Sequence, residues 1–190
     1  LGFANSLIEI IKKEKPDYLA VVFDPAGGSF RHREYADYKA QRDATPEGIL
    51  WAFPQVKRLL EALRIPAIEV PDYEADDVVG TLSQRAEKEG FEVYMVTADK
   101  DYGQLVTKHS LMYRPGTKGA EVWGEAEVCE KFGLVHCSQM VDYLALVGDT
   151  SDNIPGCKGI GPKKASELLT QFGSIDAIYE HLEELSPSLK

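Results

Sequence analysis

Apolar and polar positions follow two rhythms along the chain. From Gly2 to Lys13 the residues Phe3, Leu7, Ile10 and Ile11 fall at helical spacing, whereas Tyr18–Asp24 reads YLAVVFD, a continuous apolar run of buried-strand type. Phe30–Arg42 is polar and aromatic, also with helical spacing. Pro46 opens an amphipathic stretch to about Leu63, with proline at a helix start, where its missing N–H costs nothing. Pro66–Pro71 predicts a short strand, Glu74–Glu89 a helix closed by Gly90, and Phe91–Thr97 the next strand. Leu111–Tyr113 and Glu121–Trp123 are short sheet additions. From Glu125 onward the pattern is helical, over Glu125–Phe132, Ser138–Val147, Pro162–Phe172 and Ser174–Leu182.

Strands alternating with helices of about 10–18 residues imply right-handed βαβ units. The expected fold is therefore α/β, a mostly parallel sheet flanked by helices over 1–136, followed by an all-helical unit over 137–190. A chain of 190 residues suits one domain with a small appendage. No apolar run approaches the ~18 residues that span a bilayer, so no membrane partner is expected. The chain lacks an initiator Met and opens in helical register, which predicts a missing N-terminal segment. Cys129, Cys137 and Cys157 show no Cys-x-x-Cys spacing, which favours reduced thiols and a cytoplasmic location. With His136 they match no common zinc pattern.

Charge changes the picture more than composition does. The net charge is −10, yet the stretch Glu69–Asp101 holds ten acidic residues against three basic ones. In a parallel α/β sheet, ligands bind beyond the C-terminal ends of the strands. Asp24 ends one predicted strand, Asp99 and Asp101 follow another, and Glu74, Asp76 and Asp77 lie just past a third. Crowded like charges are unfavourable unless a cation neutralises them, and all-oxygen donors suit Mg²⁺ or Mn²⁺. So many carboxylates make two ions plausible, the arrangement that clamps a phosphoryl displacement. Read singly, the same residues are a strand-end acid, a turn, and acids favouring a helix macrodipole.

Two basic elements accompany the acids. In IPGCKGIGPKKASELL (Ile154–Leu169), Gly159 and Gly161 precede a Pro-initiated helix, with Lys158, Lys163 and Lys164 adding charge. Helices before and after make this a helix-hairpin-helix, suited to gripping a nucleic-acid backbone without reading bases. The neighbouring GDTSDN adds Asp149 and Asp152. In FRHREYADYKAQR, Arg31, Tyr35, Tyr38 and Arg42 would share one helix face, with Lys39 four residues after Tyr35, a set suited to stacking on an unpaired base while holding phosphates. A solvated charged helix with two core tyrosines is the other reading of that segment.

Four ordered stretches, FDPAGGSFRHREYADYKAQR, VPDYEADDVVGTL, TADKDYGQLV and LVGDTSDNIPGCKGIGPKKA, resemble the 5′-3′ exonuclease domain of bacterial DNA polymerase I, of the flap endonuclease family. The resemblance covers essentially the whole chain. It implies a PIN-like or resolvase-like nuclease domain and a structure-specific 5′ nuclease that hydrolyses DNA phosphodiester bonds at 5′ ends and flaps with two metal ions. The implied setting is DNA replication and repair, in primer removal and nick translation. By motif, Asp24, Glu74 and Asp76 resemble ligands of a first metal, and Asp99, Asp101 and Asp149 those of a second, with Asp76 able to bridge. Asp77 and Asp152 complete the set. Lys39 and Arg42 resemble the catalytic basic pair of a helical gateway, where Tyr38 is a stacking candidate. Lys158, Gly159, Gly161 and Lys163 resemble the hairpin holding downstream duplex, where the family also uses K⁺. Implied partners are 5′-flap, nicked or gapped DNA and RNA-primed 5′ ends, with a polymerase domain following Lys190 and the protein a nucleoid-associated monomer. The family pattern also begins with a strand and a further aspartate that would precede Leu1.

Two other classes stay open at this stage. A strand-end Asp with Mg²⁺ also serves phosphoaspartyl phosphatases, although those need no hairpin for DNA. A DNA-junction binder without cleavage is the non-enzymatic reading.

Overall fold

The structure, a computed structural model, describes residues 1–116 and 119–185. The chain forms two compact units, Leu1–Val79 and Gly80–Lys190; residues 186–190 of the expected helical unit lie outside the described residues.

The first unit begins with helix α1 (Gly2–Glu14), whose last turn carries Lys12 and Lys13, a placement the helix dipole favours. Strand β1 (Val21–Phe23) pairs in parallel with β2 (Ala67–Glu69), in the register Val21↔Ala67 to Phe23↔Glu69. Between them run α2 (Phe30–Glu34) and α3 (Glu47–Ala62), the latter anchored by the fully buried Leu60 and opened by Pro46 at its N-cap. Helix α4 (Ala75–Lys88) follows β2, with Asp76 and Asp77 in its first turn, and Gly90 at φ 88° follows its end.

In the second unit, β3 (Val93–Val96) pairs in parallel with β4 (Ser110–Arg114), which pairs antiparallel with β5 (Glu121–Trp123). Helices α5 (Glu125–Phe132), α6 (Met140–Val147), α7 (Pro162–Phe172) and α8 (Ile175–Glu180) complete it. Val128, Met140, Ala165 and Leu169 are fully buried between them, as is Met112 on β4. A buried polar side chain orders these helices. Gln139 Oε1 accepts from the Val135 and His136 amides (2.9 and 3.2 Å), while its Nε2 donates to the Leu169 and Gly173 carbonyls (2.8 and 2.9 Å). It thereby gives the Gly173 carbonyl a donor at the end of α7 and adds a second donor to the Leu169 carbonyl, which also accepts the Gly173 amide.

The α/β class holds, but the sheet is divided. The first unit has a parallel pair, the second a mixed three-stranded sheet, and a further antiparallel pair joins β6 (Gly148–Asp149) to β7 (Ile154–Pro155). These strands have two to five residues each, and β5 returns too soon after β4 for the long crossover that parallel pairing requires. The segment Phe30–Arg42 also departs from expectation. Helix stops at Glu34, Tyr35 is extended (φ −133°), and Lys39 adopts a left-handed conformation (φ 55°). Arg31, Tyr35, Tyr38 and Arg42 therefore do not line one helix face. A five-residue helix gains little from propagation, and side-chain bonds to a buried acid take over.

Two glycines are required by close approach. A Cβ at Gly148 would meet Gly156 N at 2.2 Å, and one at Gly156 would meet the Val147 carbonyl at 2.3 Å. At Gly159 (φ +82°) nothing lies within 4 Å of that position. Gly156→Ala is therefore expected to destabilise the second unit by roughly 3 kcal/mol, the upper end of overpacking costs, against about 1–2 kcal/mol for Gly159→Ala, the strain of a left-handed alanine. Urea unfolding of the two variants checks that order.

Candidate functional site

In the first unit the parallel pairing of β1 and β2 brings their carboxyl ends side by side. Asp24 follows β1, and its Oδ1 accepts from the Ala75 amide (2.8 Å), so the strand-end acid caps helix α4. After β2 the chain turns through Asp72 (φ 75°) and delivers Glu74 immediately before that helix. Glu74 is only 5% exposed, and both its oxygens are engaged. Oε1 accepts from Ser29 Oγ (3.0 Å); Oε2 accepts from Tyr38 Oη (2.8 Å) and Lys39 Nζ (2.9 Å). Burial pushes the Glu74 pKa upward, but these donors outweigh it and hold the group below the usual carboxylate range.

Asp77 accepts both guanidinium nitrogens of Arg31 (2.7 and 2.8 Å) and the Glu74 amide (3.0 Å). The bidentate pair lowers the Asp77 pKa and raises that of Arg31. Asp76 behaves oppositely. Crowding desolvates its carboxyl and raises its pKa, and the charges of Glu74 and Asp24 add to this while Lys39 opposes.

The second unit builds its own cluster. Past β3, Thr97 Oγ1 accepts from the Asp99 amide and Asp99 Oδ1 from the Asp101 amide, each at 3.0 Å, so Asp99 caps a 3₁₀ turn over Lys100–Leu105. Lys100 Nζ donates to Asp101 Oδ1 (3.1 Å) and to Asp149. Asp149 ends β6 and also accepts from the Ser151 amide (2.7 Å), Ser151 Oγ (2.5 Å) and the Asp152 amide (3.2 Å). Burial pushes Asp149 up, but Lys100 and Ser151 prevail and its pKa falls to about 2. Burial raises the Asp101 pKa, with Asp99 and Asp149 adding and Lys100 opposing.

Among the described residues, no three histidine, cysteine, aspartate or glutamate side chains converge into a ready metal cage. Lysine and arginine nitrogens balance part of the charge in each cluster instead. The donors nevertheless fit a hard divalent ion. All are carboxylate oxygens, and Asp76 and Asp101 are held in ionisation-opposing surroundings that an added cation would relieve.

Between α6 and α7, Gly159 and Gly161 leave backbone open to solvent, with Gly161 at the N-cap and Pro162 at the first helical position. Lys158 is exposed, Lys163 lies 3.9 Å from Glu167, and Lys164 Nζ donates to the Gly159 carbonyl (3.2 Å). Among the gateway residues, Arg42 is exposed, Tyr35 is 38% exposed and Tyr38 is buried. Three site residues escape sequence reasoning: Ser29, Lys100 and Ser151. Lys100 carries a signal, a lone base between two acids in TADKD; Ser29 and Ser151 look like ordinary turn residues.

Solved structures share the fold of this chain. It superposes on the T5 D15 protein co-crystallised with metal ions at a TM-score of 0.80 and 20% identity, over 98% of this chain and 72% of that one. It superposes on the catalytic core of Rad2 in complex with DNA substrate at 0.56 and 22% identity, over 84% of this chain and 49% of that one. A family model described as 5'-3' exonuclease, N-terminal resolvase-like domain, matches residues 1–133, and one described as 5'-3' exonuclease, C-terminal SAM fold, matches 135–190. The chain belongs to the 5'-3' exonuclease family, a family of nuclease enzymes. It is 45% identical over 190 residues to the thermostable DNA polymerase I of Thermus thermophilus, covering 100% of this chain and 22% of that protein. It is 42% identical over 183 residues to the 5'-3' exonuclease of Aquifex aeolicus, covering 96% of this chain and 62% of that protein. The chain thus spans only part of the curated relatives it matches.

The Asp149 network generates a pH dependence. Its folded pKa lies below the ordinary 3.8, so ionised Asp149 stabilises the fold above about pH 4, and the contribution is lost as pH falls toward 2. With EDTA present, Asp149→Asn is expected to flatten the decline of stability across that window by about 2 kcal/mol. Urea midpoints between pH 5 and 2 read the difference in slope.

Proposed function

We propose that this chain is the nuclease part of a DNA-processing enzyme, a structure-specific 5′ nuclease acting at 5′ ends and flaps. The observation that carries the reading is that each unit ends a strand in a carboxylate cluster whose acids outnumber the bases holding them. Asp24, Glu74, Asp76 and Asp77 would hold one divalent ion, and Asp99, Asp101, Asp149 and Asp152 a second, Mg²⁺ or Mn²⁺. Bound there, such ions would lower the pKa of water and neutralise charge on the scissile phosphate.

The chain's own residues have separate tasks. Lys39 exchanges its bond to Glu74 for a phosphate oxygen and, with Arg42, stabilises the charge that builds in the transition state. Tyr35 offers a ring for stacking where it stands, whereas Tyr38 does so only after leaving Glu74. Arg31 is held by Asp77, which makes it a support for that acid before it is a DNA contact. In the division we propose, 1–136 is the nuclease domain. Residues 137–190 form a helix-hairpin-helix whose open Gly159–Gly161 backbone, with Lys158 and Lys163, grips the downstream duplex and would take K⁺ there; Lys164 braces the loop. The substrates would be flap, nicked or gapped DNA and RNA-primed 5′ ends met in replication and repair. The whole protein would also carry a polymerase domain, within a monomeric cytoplasmic enzyme; the relative named DNA polymerase I matches this chain over 22% of its own length.

A second reading, a junction binder that does not cut, has one observation in its favour: both Glu74 oxygens already have partners. Incubating a 5′-labelled flap DNA with the 190-residue chain in Mg²⁺, Mn²⁺, Ca²⁺ or EDTA separates the two. Cutting near the junction in Mg²⁺ or Mn²⁺, abolished by EDTA, is the expected result. Lys39→Ala and Arg42→Ala should each slow it by roughly 10²–10³-fold, the range for removing one charge-stabilising donor. Binding in Ca²⁺ with no cutting in Mg²⁺ or Mn²⁺ would leave the binder.

A further inference from the structure

The nuclease reading leaves the cysteines unused, and two of them lie side by side. Helix α5 ends on Gly133 in a left-handed conformation (φ 64°), and the chain doubles back through Leu134–His136 into a 3₁₀ turn over Cys137–Gln139. The return brings Cys137 Sγ to 3.8 Å from Cys129 Sγ. Cys129 is half-buried on the last turn of α5, and both cysteines help line an open pocket with Glu125, Val135 and His136. Cys137 is 8% exposed, and its thiol donates to the Glu125 carbonyl (3.3 Å). His136 and Glu125 do not turn the pair into a metal site, since no three ligating side chains converge among the described residues.

We propose that Cys129 and Cys137 are a peroxide-sensitive, disulfide-forming pair, with Cys129 the sulfur that is attacked first and Cys137 the one that resolves it. Bonded sulfurs stand about 2.05 Å apart, so forming the bridge closes the present 3.8 Å separation by a little under 2 Å. Access sets the order, because Cys129 is half-buried while Cys137 is buried at 8% exposure. Burial, reinforced by the adjoining Cys129 sulfur, pushes the Cys137 thiol up to about 12, so it stays protonated until its partner is activated.

Hydrogen peroxide transfers one oxygen to the Cys129 sulfur, giving a sulfenic acid and one water. Cys137 sulfur then attacks the Cys129 sulfur; the S–S bond forms, the S–O bond breaks, and the departing hydroxide leaves with the Cys137 proton as a second water. The two sulfurs together lose two electrons and the peroxide gains two. The bridge ties the end of α5 to the turn from which Gln139 reaches the Leu169 and Gly173 carbonyls.

The test uses the 190-residue chain carrying Cys157→Ser, which removes the exposed third thiol. After stoichiometric hydrogen peroxide, it is denatured without reductant and treated with iodoacetamide. The expected product has lost the mass of two hydrogens, takes up no carbamidomethyl group, and regains both thiols with a phosphine. Trypsin cuts between the cysteines at Lys131, so the two fragments should stay joined until reduction. Cys129→Ser in the same background should give an unbridged chain with Cys137 alkylated. Oxidised Cys129 beside an alkylated Cys137, or a covalent dimer as the main product, would overturn the assignment.

Discussion

A carboxylate that is 5% exposed must be given donors, and in the first unit that requirement shapes everything around Glu74. Ser29, Tyr38 and Lys39 converge on its two oxygens from one loop segment. Satisfying them ends α2 after five residues and sets Lys39 in a left-handed conformation that a helix could not contain. Two bidentate pairs, Arg31 with Asp77 and Arg33 with Asp72, fasten the same segment to the start of α4. What looks in isolation like a basic helix is instead a strap laid over an acid.

The second unit meets the same problem by different means. Lys100 is shared between Asp101 and Asp149, and the serine and amide donors of the following turn complete Asp149. The two acids answer in opposite directions. Asp149 has enough donors to stay ionised far into acid, whereas Asp101 is left with burial and the neighbouring charges. The same contrast separates Glu74 from Asp76 in the first unit. Each cluster thus pairs a satisfied carboxylate with a frustrated one, and the frustrated member has most to gain from a cation.

In the second unit the helices are arranged by ordinary packing and by a few polar ties, among them Ser166 to the Gly133 carbonyl, Asp142 to the Ile175 amide, and Gln139. Gln139 is buried yet has partners on both ends of its amide, and it holds the turn before α6 against the end of α7. The backbone contact of Gly148 with Gly156 closes the loop that follows α6 and carries Asp149. The open glycines farther on, at 159 and 161, show no such crowding: both are exposed, and nothing lies within 4 Å of where a Cβ would stand.

Local chemistry was enough to locate most elements. Helices over Glu125–Phe132 and Pro162–Phe172 lie where periodicity and Pro162 put them, because such signals act within a few residues. The strand-end positions of Asp24 and Asp99 were likewise legible, since an apolar run that stops on an acid says where the acid must emerge. The sequence alone also determined the family, through motifs whose order survives any local error. Tertiary structure decided the rest. Helical spacing in Phe30–Arg42 could not reveal that Glu74, distant in sequence, would outcompete the helix for Tyr38 and Lys39. Nor could it show Lys100 between Asp101 and Asp149, or Cys129 beside Cys137. Such pairings depend on which backbone turns bring buried charges and thiols together, and a burial cost is settled only when the chain has closed around it.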